Sequence, residues 1–218
     1  MSRHTLTLLR FTYKKLKEKL SVSDSKKLFH EQFPYVIPGL YKKIVDETLV
    51  EQNLLNHQNE FTRDNLFCVG LTETFKELTK GYKPEKHLNL LFESLCISTN
   101  FKAKEIKETS NISQKEFSDK SLKDILNLLK ERSNSQLYPS RILKLGTYFL
   151  ISNSQDFKEK KEIEINKMIS EIFEKLSLSP TKAEKDIGIY KNSISKMEQA
   201  KELIEELRIK DKKKEQKQ

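Results

Sequence analysis

Apolar side chains recur three and four positions apart along most of the chain, and this spacing places them on one face of an α-helix. Polar residues fill the positions between them. The clearest repeats are Tyr41, Val45 and Leu49; Phe67, Leu71 and Leu78; Leu88, Leu91 and Leu95; Leu122, Ile125 and Leu129; Ile142, Leu145 and Phe149; and Ile169, Ile172 and Leu176. The pattern predicts an all-α fold, a single multi-helix domain of about eight or nine helices.

Several residues near these repeats are suited to begin, end or pack a helix. Asp64, or the asparagine after it, can cap the helix that follows. Gly81 can adopt the left-handed conformation that ends a helix. The sequence at 113–116 (SQKE) fits a capping box, although the stronger apolar repeat begins only at Leu122. Gly146 lies within an apolar repeat, so we expect another helix to approach closely there.

The segment from Pro180 onward forms one long repeat in which Gly188 is the only later helix breaker. Its residues alternate four and three positions apart, which is the heptad spacing of a coiled coil. The repeat consists of Ala183, Ile187, Tyr190, Ile194, Met197, Lys201, Ile204 and Arg208. Because charged residues interrupt its second part, we expect a long C-terminal helix of coiled-coil character whose first half packs on the body and whose second half projects.

Amino-acid composition limits the possible fold classes and indicates the redox compartment of the protein. The 218 residues include only five glycines and five prolines, too few turn residues for a fold of many short strands. No apolar run approaches the ~20 residues of a transmembrane helix. Cys68 and Cys96 lie among apolar residues without a metal-ligand spacing, so we expect buried thiols in a reducing compartment.

The net charge of +9 is concentrated at the two ends of the chain. Residues 1–22 form a basic amphipathic extension of charge +5, residues 208–218 carry +4, and residues 23–207 hold 29 basic and 29 acidic residues. We therefore predict three segments: the extension (1–22), a helical body (23–179) and a long C-terminal helix with a Lys-rich tail (180–218). The candidate contacts to a membrane or partner are Arg10, Lys14, Lys15, Lys17, Lys212, Lys213 and Lys214.

The patterns of common cofactor and metal sites are missing from the sequence. Its five glycines are too widely spaced for a Walker loop or a dinucleotide fingerprint, and its four histidines are isolated from one another. Carboxylate pairs such as Glu73 and Glu77 lack the Glu-x-x-His partners of a di-metal site, so we interpret them as solvated residues and ion-pair partners. The sequence therefore predicts no catalytic residue, no metal and no cofactor.

Seven stretches of the chain carry a family resemblance. They are residues 23–26 (SDSK), 40–51 (LYKKIVDETLVE), 69–75 (VGLTETF), 81–85 (GYKPE), 138–146 (YPSRILKLG), 185–190 (KDIGIY) and 196–201 (KMEQAK). In this order they resemble the thylakoid formation protein family, also described as a photosystem II biogenesis factor, over about residues 22–205. The first 21 residues look like an extension that the family core does not require, and Pro139 departs from the family pattern.

The resemblance implies an all-helical, non-catalytic factor in thylakoid membrane organisation and photosystem II biogenesis and repair. The implied partner is a membrane-anchored FtsH-type AAA+ protease, and the implied location is cytoplasmic, peripheral to the thylakoid membrane of a cyanobacterium. The excess of lysine over arginine agrees with a small marine cyanobacterium as the source. We expect no small-molecule substrate and no specific nucleic acid, and we expect the last helix to contribute to recruitment of the protease.

Two other functions remain open from the residues alone. One is a helical enzyme with a carboxylate-lined pocket among the central helices, which would require convergent ionisable groups in a concave site. The other is a nucleic-acid-binding regulator that uses the basic ends, whose affinity would fall steeply with salt.

Overall fold

A computed structural model describes residues 19–59, 61–132, 140–157, 162–176 and 178–215. Over this part of the chain nine α-helices follow one another, without a strand. They are α1 (Val22–Gln32), α2 (Gly39–His57), α3 (Asn65–Leu78), α4 (Leu88–Ser98), α5 (Ala103–Ser118), α6 (Leu122–Arg132), α7 (Arg141–Ser152), α8 (Glu162–Lys175) and α9 (Pro180–Glu215). The predicted all-α fold and long C-terminal helix are confirmed.

The chain divides into two compact units. The first consists of Met1–Thr62 and Lys86–Glu105, and the second of Arg63–Glu85 and Ile106–Gln218. The sequence-based division into an extension, a body and a last helix is a different kind of division, and it stays a prediction.

Helices α1, α2 and α4 form the described core of the first unit. Their apolar faces bury large side chains such as Phe29, Leu49 and Leu91. The buried Asn53 amide on α2 donates hydrogen bonds to the Leu20 carbonyl at 2.8 Å and to the Ser25 hydroxyl at 2.7 Å. Because a buried amide without partners is costly, these two bonds fix the start of α1 against α2.

Helices α3 and α7 make the closest helix pair of the second unit. A Cβ atom added at Gly70 would lie 2.0 Å from the Ile142 carbonyl oxygen, and one at Gly146 would lie 1.9 Å from that of Leu66. Only glycine lets the two backbones approach this closely. The close approach predicted at Gly146 is confirmed, with α3 as the partner helix.

Helix ends agree with the sequence at some positions and depart from it at others. The Asp64 side chain accepts from the Phe67 amide at 2.9 Å and caps α3, and Gly81 has a φ of 80° soon after that helix ends. The capping box at Ser113 is wrong, because Ser113 lies inside α5 and its hydroxyl donates to the Thr109 carbonyl at 2.8 Å.

The last helix, α9, changes its surroundings along its length. Ala183, Ile187, Tyr190 and Met197 are buried, and α9 packs against α3, α7 and α8. Residues 202–207 are all exposed. We call residues 180–201 the packed half and residues 202–215 the projecting half; this is the arrangement that the sequence predicts, whereas pairing as a coiled coil stays a prediction.

Candidate partner-binding surfaces

An apolar pocket of about 330 Å³ opens on the first unit, between the end of α1 and the start of α2. We call it the aromatic pocket. Its lining residues are Phe29, His30, Phe33, Pro34, Tyr35, Val36, Ile37, Lys42, Val45 and Asp46. A pocket of this kind accepts an apolar or aromatic side chain, with a few polar groups at its edge.

The rim of the aromatic pocket exposes apolar side chains on a short loop. Val36 is 91% exposed and Tyr35 is 47% exposed, and the loop is bracketed by Pro34 and Pro38. The Tyr35 ring stacks on the His87 ring at a centroid distance of 3.8 Å. Because proline fixes φ, the bracketing prolines and the ring stack restrict the loop and reduce the entropy lost when a partner binds.

The polar groups of the aromatic pocket do not form a carboxylate cluster. Asp46 is the one carboxylate among its lining residues, and it lies 3.8 Å from the Lys26 ammonium. The remaining ionisable groups of the lining are His30, Tyr35 and Lys42. This pocket therefore gives no support to an enzyme with a carboxylate-lined site.

The projecting half of α9 exposes an apolar stripe on the second unit. Leu203, Ile204 and Leu207 are 58%, 41% and 51% exposed. Spacings of three and four residues place them on one face of the helix. Glu202, Glu205 and Glu206 share the opposite face by the same spacing, so the projecting half has an apolar side and an acidic side.

Polar contacts hold the packed half of α9 in place. The Lys144 ammonium on α7, 6% exposed as a residue, binds the Asp186 carboxylate at 2.5 Å. The Ser170 hydroxyl on α8 donates to the Glu184 carboxylate. The aliphatic carbons of Lys201 come within 3.2 and 3.3 Å of the position where a Cβ of Gly81 would lie. Beyond Lys201, residues 202–207, Ile209 and Lys210 are exposed.

Tyr190 lies at the centre of the packed half. It is buried, and its ring meets the Phe149 ring edge to face at 5.5 Å. Burial raises the pKa of its hydroxyl above the ordinary value, and the nearby Glu77 carboxylate adds to this effect. The neutral phenol is therefore the form that the native structure favours.

Glu73 departs from the sequence interpretation. The sequence predicts a solvated ion-pair partner. Its carboxylate does lie 3.3 Å from the Lys76 ammonium, but its side chain is buried. The Gln114 amide on α5 donates to its second oxygen at 2.9 Å. The spacing of carboxylates along α3 gives no signal of this partner, because it comes from another helix.

The thiols and the metal-ligating side chains show no reactive arrangement among the described residues. Burial, with a smaller effect from Asp64, raises the pKa of the Cys68 thiol from 9.0 to about 12. Both Cys68 and Cys96 are buried thiols outside any disulfide bond, and the sequence predicts their burial. No three or more His, Cys, Asp or Glu side chains of the described part of the chain lie where they could hold a metal ion.

The predicted contact residues at the two ends lie beyond what the structure describes. Arg10, Lys14, Lys15 and Lys17 fall outside the described residues. Lys212–Lys214 lie on the helical backbone of α9, and their side chains fall outside the description. Their role as contacts stays a prediction. Each helix of the described residues is too short or too polar to cross a lipid bilayer.

The fold and its surfaces define an all-α protein that exposes apolar surface on both of its compact units. The sequence profile of the thylakoid formation protein family matches residues 21–218. The chain therefore belongs to the thylakoid formation protein family.

Curated relatives and a solved structure agree with this assignment. The Thf1 protein of Prochlorococcus marinus (strain MIT 9312) is 84% identical over 199 residues, which cover 91% of this chain and 99% of that protein. The Thf1 protein of Synechococcus sp. (strain CC9605) is 38% identical over 85% of this chain and 87% of that protein. A solved structure of Psb29 shares the fold, with a TM-score of 0.72 and 24% identity over 82% of this chain and 98% of that one.

Proposed function

We propose that the protein is a non-catalytic accessory factor in thylakoid membrane organisation and in photosystem II biogenesis and repair. It acts by binding a membrane-anchored FtsH-type AAA+ protease while lying peripherally on the thylakoid membrane. Membership of the thylakoid formation protein family supports the cellular process. The protease and the mode of membrane contact come from the resemblance of the sequence motifs to that family.

The main structural support for protein binding is the exposed rim of the aromatic pocket. Single exposed apolar residues are common on protein surfaces and need no explanation. Here a valine that is 91% exposed stands beside an apolar pocket of about 330 Å³, on a loop held by two prolines. An exposed apolar side chain on a restricted loop beside a pocket is typical of an interface hot spot. The loop is already ordered, so it loses little conformational entropy when a partner binds.

Capture of the protease from detergent-solubilised thylakoid membranes tests this proposal. The full chain carries an affinity tag, and the FtsH-type protease retained with it is measured by immunoblot. We expect Val36→Asp to reduce protease capture at least about tenfold, because it places a charge in an apolar contact. Ile163→Asp is the matched control, because Ile163 on α8 is 84% exposed and lies on the other compact unit.

The outcomes distinguish a wrong choice of binding surface from a failure of protease binding itself. Loss of capture with Val36→Asp but not with Ile163→Asp supports docking at the aromatic pocket. Equal capture by both variants and the parent chain rejects this surface. No capture of the protease by the parent chain contradicts protease binding itself. A chain lacking residues 202–218 tests the expectation that the last helix contributes to recruitment.

A further inference from the structure

Three rings in mutual contact form part of the lining of the aromatic pocket. The Phe29 and Phe33 rings stack at a centroid distance of 5.9 Å, and the Tyr35 ring meets the Phe33 ring edge to face at 5.5 Å. Contacts between aromatic rings stabilise an interface beyond the burial of apolar area alone. This lining therefore favours an aromatic side chain as the occupant over an aliphatic one.

The charges at the edge of the aromatic pocket are not balanced. Lys42 and Asp46 both line the pocket, four residues apart on α2. The cation that meets the Asp46 carboxylate is Lys26 of α1, at 3.8 Å. Lys42 is exposed, and among the described residues its ammonium has no ion-pair partner. The three side chains together therefore leave one positive charge at this edge.

The neighbouring carboxylates along the two helices lie outside the lining. Glu31 follows His30 on α1 and Glu47 follows Asp46 on α2, and neither lines the pocket. Glu47 lies 3.7 Å from the Lys43 ammonium. The start of α2 adds to the positive field, because its first turn contains no acidic residue. A negatively charged group is therefore the electrostatic complement of this edge.

The apolar and the cationic parts of this surface belong to one pocket. Val36 and Ile37 of the loop line it together with Lys42, which lies in the first turn of α2. A peptide segment that carries an aromatic side chain beside a carboxylate could fill the pocket and meet the ammonium at the same time. A segment with a basic residue in the place of the carboxylate would bring like charges together.

We infer that the aromatic pocket binds an acidic aromatic segment of a protein partner. An aromatic side chain of the segment enters beside Phe29, Phe33 and Tyr35, and a neighbouring Asp or Glu carboxylate meets the Lys42 ammonium. The inference rests on the proposed function, because it names the chemistry of the segment that docks at the same pocket. The exposed Val36 then packs against the apolar part of this segment.

Short peptides of matched shape test the chemistry of the occupant. The probes are N-acetyl-Trp-Glu-amide, the same peptide with Gln or with Lys in place of Glu, and N-acetyl-Ala-Glu-amide. Each is titrated into the full chain labelled with nitrogen-15, and the backbone amide signals of Val36 and Val45 report binding at the pocket.

The four peptides should bind in a defined order. We expect the Trp-Glu peptide to bind about threefold more tightly than the Trp-Gln peptide, and the Trp-Lys peptide to bind more weakly than both. High salt should reduce these differences, because it screens an exposed ion pair. The Ala-Glu peptide should bind at least about tenfold more weakly than the Trp-Glu peptide, because it lacks the ring.

Lys42→Glu and Lys43→Glu form a matched pair of variants. Both lysines are exposed on α2 and each precedes an acidic residue by four positions, but only Lys42 lines the pocket. Lys42→Glu should reverse the order, so that the Trp-Lys peptide binds about threefold more tightly than the Trp-Glu peptide. Lys43→Glu should keep the order of the parent chain. Circular dichroism spectra of both variants should match that of the parent chain, because both side chains are exposed.

Protease capture by the same two variants connects this chemistry to the proposed partner. We expect Lys42→Glu to reduce capture about fivefold and Lys43→Glu to reduce it less than about twofold. Equal capture by both variants, with capture still lost in Val36→Asp, would reject the acidic segment and keep the docking surface. Absence of capture by the parent chain would instead remove the protease-binding function.

The peptide titrations have further outcomes that overturn the inference. Equal affinity for the Glu, Gln and Lys peptides would show that the pocket recognises no carboxylate. Equal affinity for the Ala-Glu and Trp-Glu peptides would show that no aromatic side chain enters. No shift of the Val36 and Val45 signals with any peptide would reject such a segment as the occupant. Shifts of these signals that grow with protein concentration without peptide would identify a second copy as the occupant.

Discussion

The two halves of α9 belong to one continuous helix but differ in what surrounds their apolar side chains. Met197 and Tyr190 in the packed half are buried by α3, α7 and α8, whereas Leu203 and Leu207 in the projecting half are about half exposed. Helical periodicity is present in both halves. Periodicity therefore identifies an apolar helix face that is able to pack. The positions of the neighbouring helices decide which part of that face is buried.

The largest expected effect comes from the surface on which the packed half rests. Gly146→Ala places a Cβ atom 1.9 Å from the Leu66 carbonyl oxygen, so α3 and α7 must move apart. We expect the free energy of unfolding to fall by about 3 kcal/mol. Chemical denaturation followed by circular dichroism measures it.

The matched control for this substitution lies on α9 itself. Gly188 has no atom within 4 Å of the position of an added Cβ. Gly188→Ala should therefore stabilise the protein by up to about 1 kcal/mol, through the higher helix propensity of alanine. A loss of stability with Gly188→Ala as large as that with Gly146→Ala would contradict the packing described for both glycines.

Truncation of one apolar side chain in each half compares the halves directly. Met197→Ala should lower the free energy of unfolding by about 2.5 kcal/mol, because it leaves a cavity against the body. Leu203→Ala should change it by less than about 0.5 kcal/mol, because its side chain is already largely in water. Similar losses for both variants would mean that the projecting half is packed in solution.

The ion pair between Lys144 and Asp186 allows a buried polar contact of the packed half to be compared with an exposed one. Asp186→Ala removes the partner of a buried ammonium and should cost about 2 kcal/mol of stability. Glu47→Gln breaks an exposed pair with Lys43 in the first unit and should cost less than about 0.5 kcal/mol. If the two substitutions had equal effects on denaturation midpoints, the pair would not be a specific anchor of the packed half.

The smallest expected effect is a pH dependence that arises from Tyr190. Burial raises the pKa of its hydroxyl above the ordinary value of 10.0, so the native state holds this proton more tightly than the unfolded state. The resulting stability is complete below pH 10 and is lost as pH rises above it. Tyr190→Phe should reduce the alkaline loss of stability, as measured by denaturation between neutral pH and pH 11. An unchanged alkaline profile would assign the loss to other groups.

Sequence reasoning predicts the local parts of this fold better than its tertiary contacts. The caps and breakers at Asp64 and Gly81 are predictable because their effects act within one helical turn. The capping box at Ser113 fails because the same residues also favour a continuous helix, and the start of α6 lies closer to the apolar repeat at Leu122. A capping-box pattern in the sequence therefore does not mark a helix start when the surrounding residues also favour a continuous helix.

The candidate surfaces were less predictable than the helices. The aromatic pocket joins residues from the end of α1, the Pro34–Pro38 loop and the start of α2, and their convergence depends on how the two helices pack. Glu73 is a similar case, because Gln114 reaches it from α5. By contrast, the half-packed state of α9 could be predicted, since the charged residues Lys201 and Arg208 interrupt its apolar repeat in the sequence.

Amide hydrogen exchange along α9 tests the central claim most directly. The chain alone should protect residues 183–201 strongly and residues 202–210 weakly, because residues 202–207, Ile209 and Lys210 are exposed. Equal protection of both halves would contradict the account.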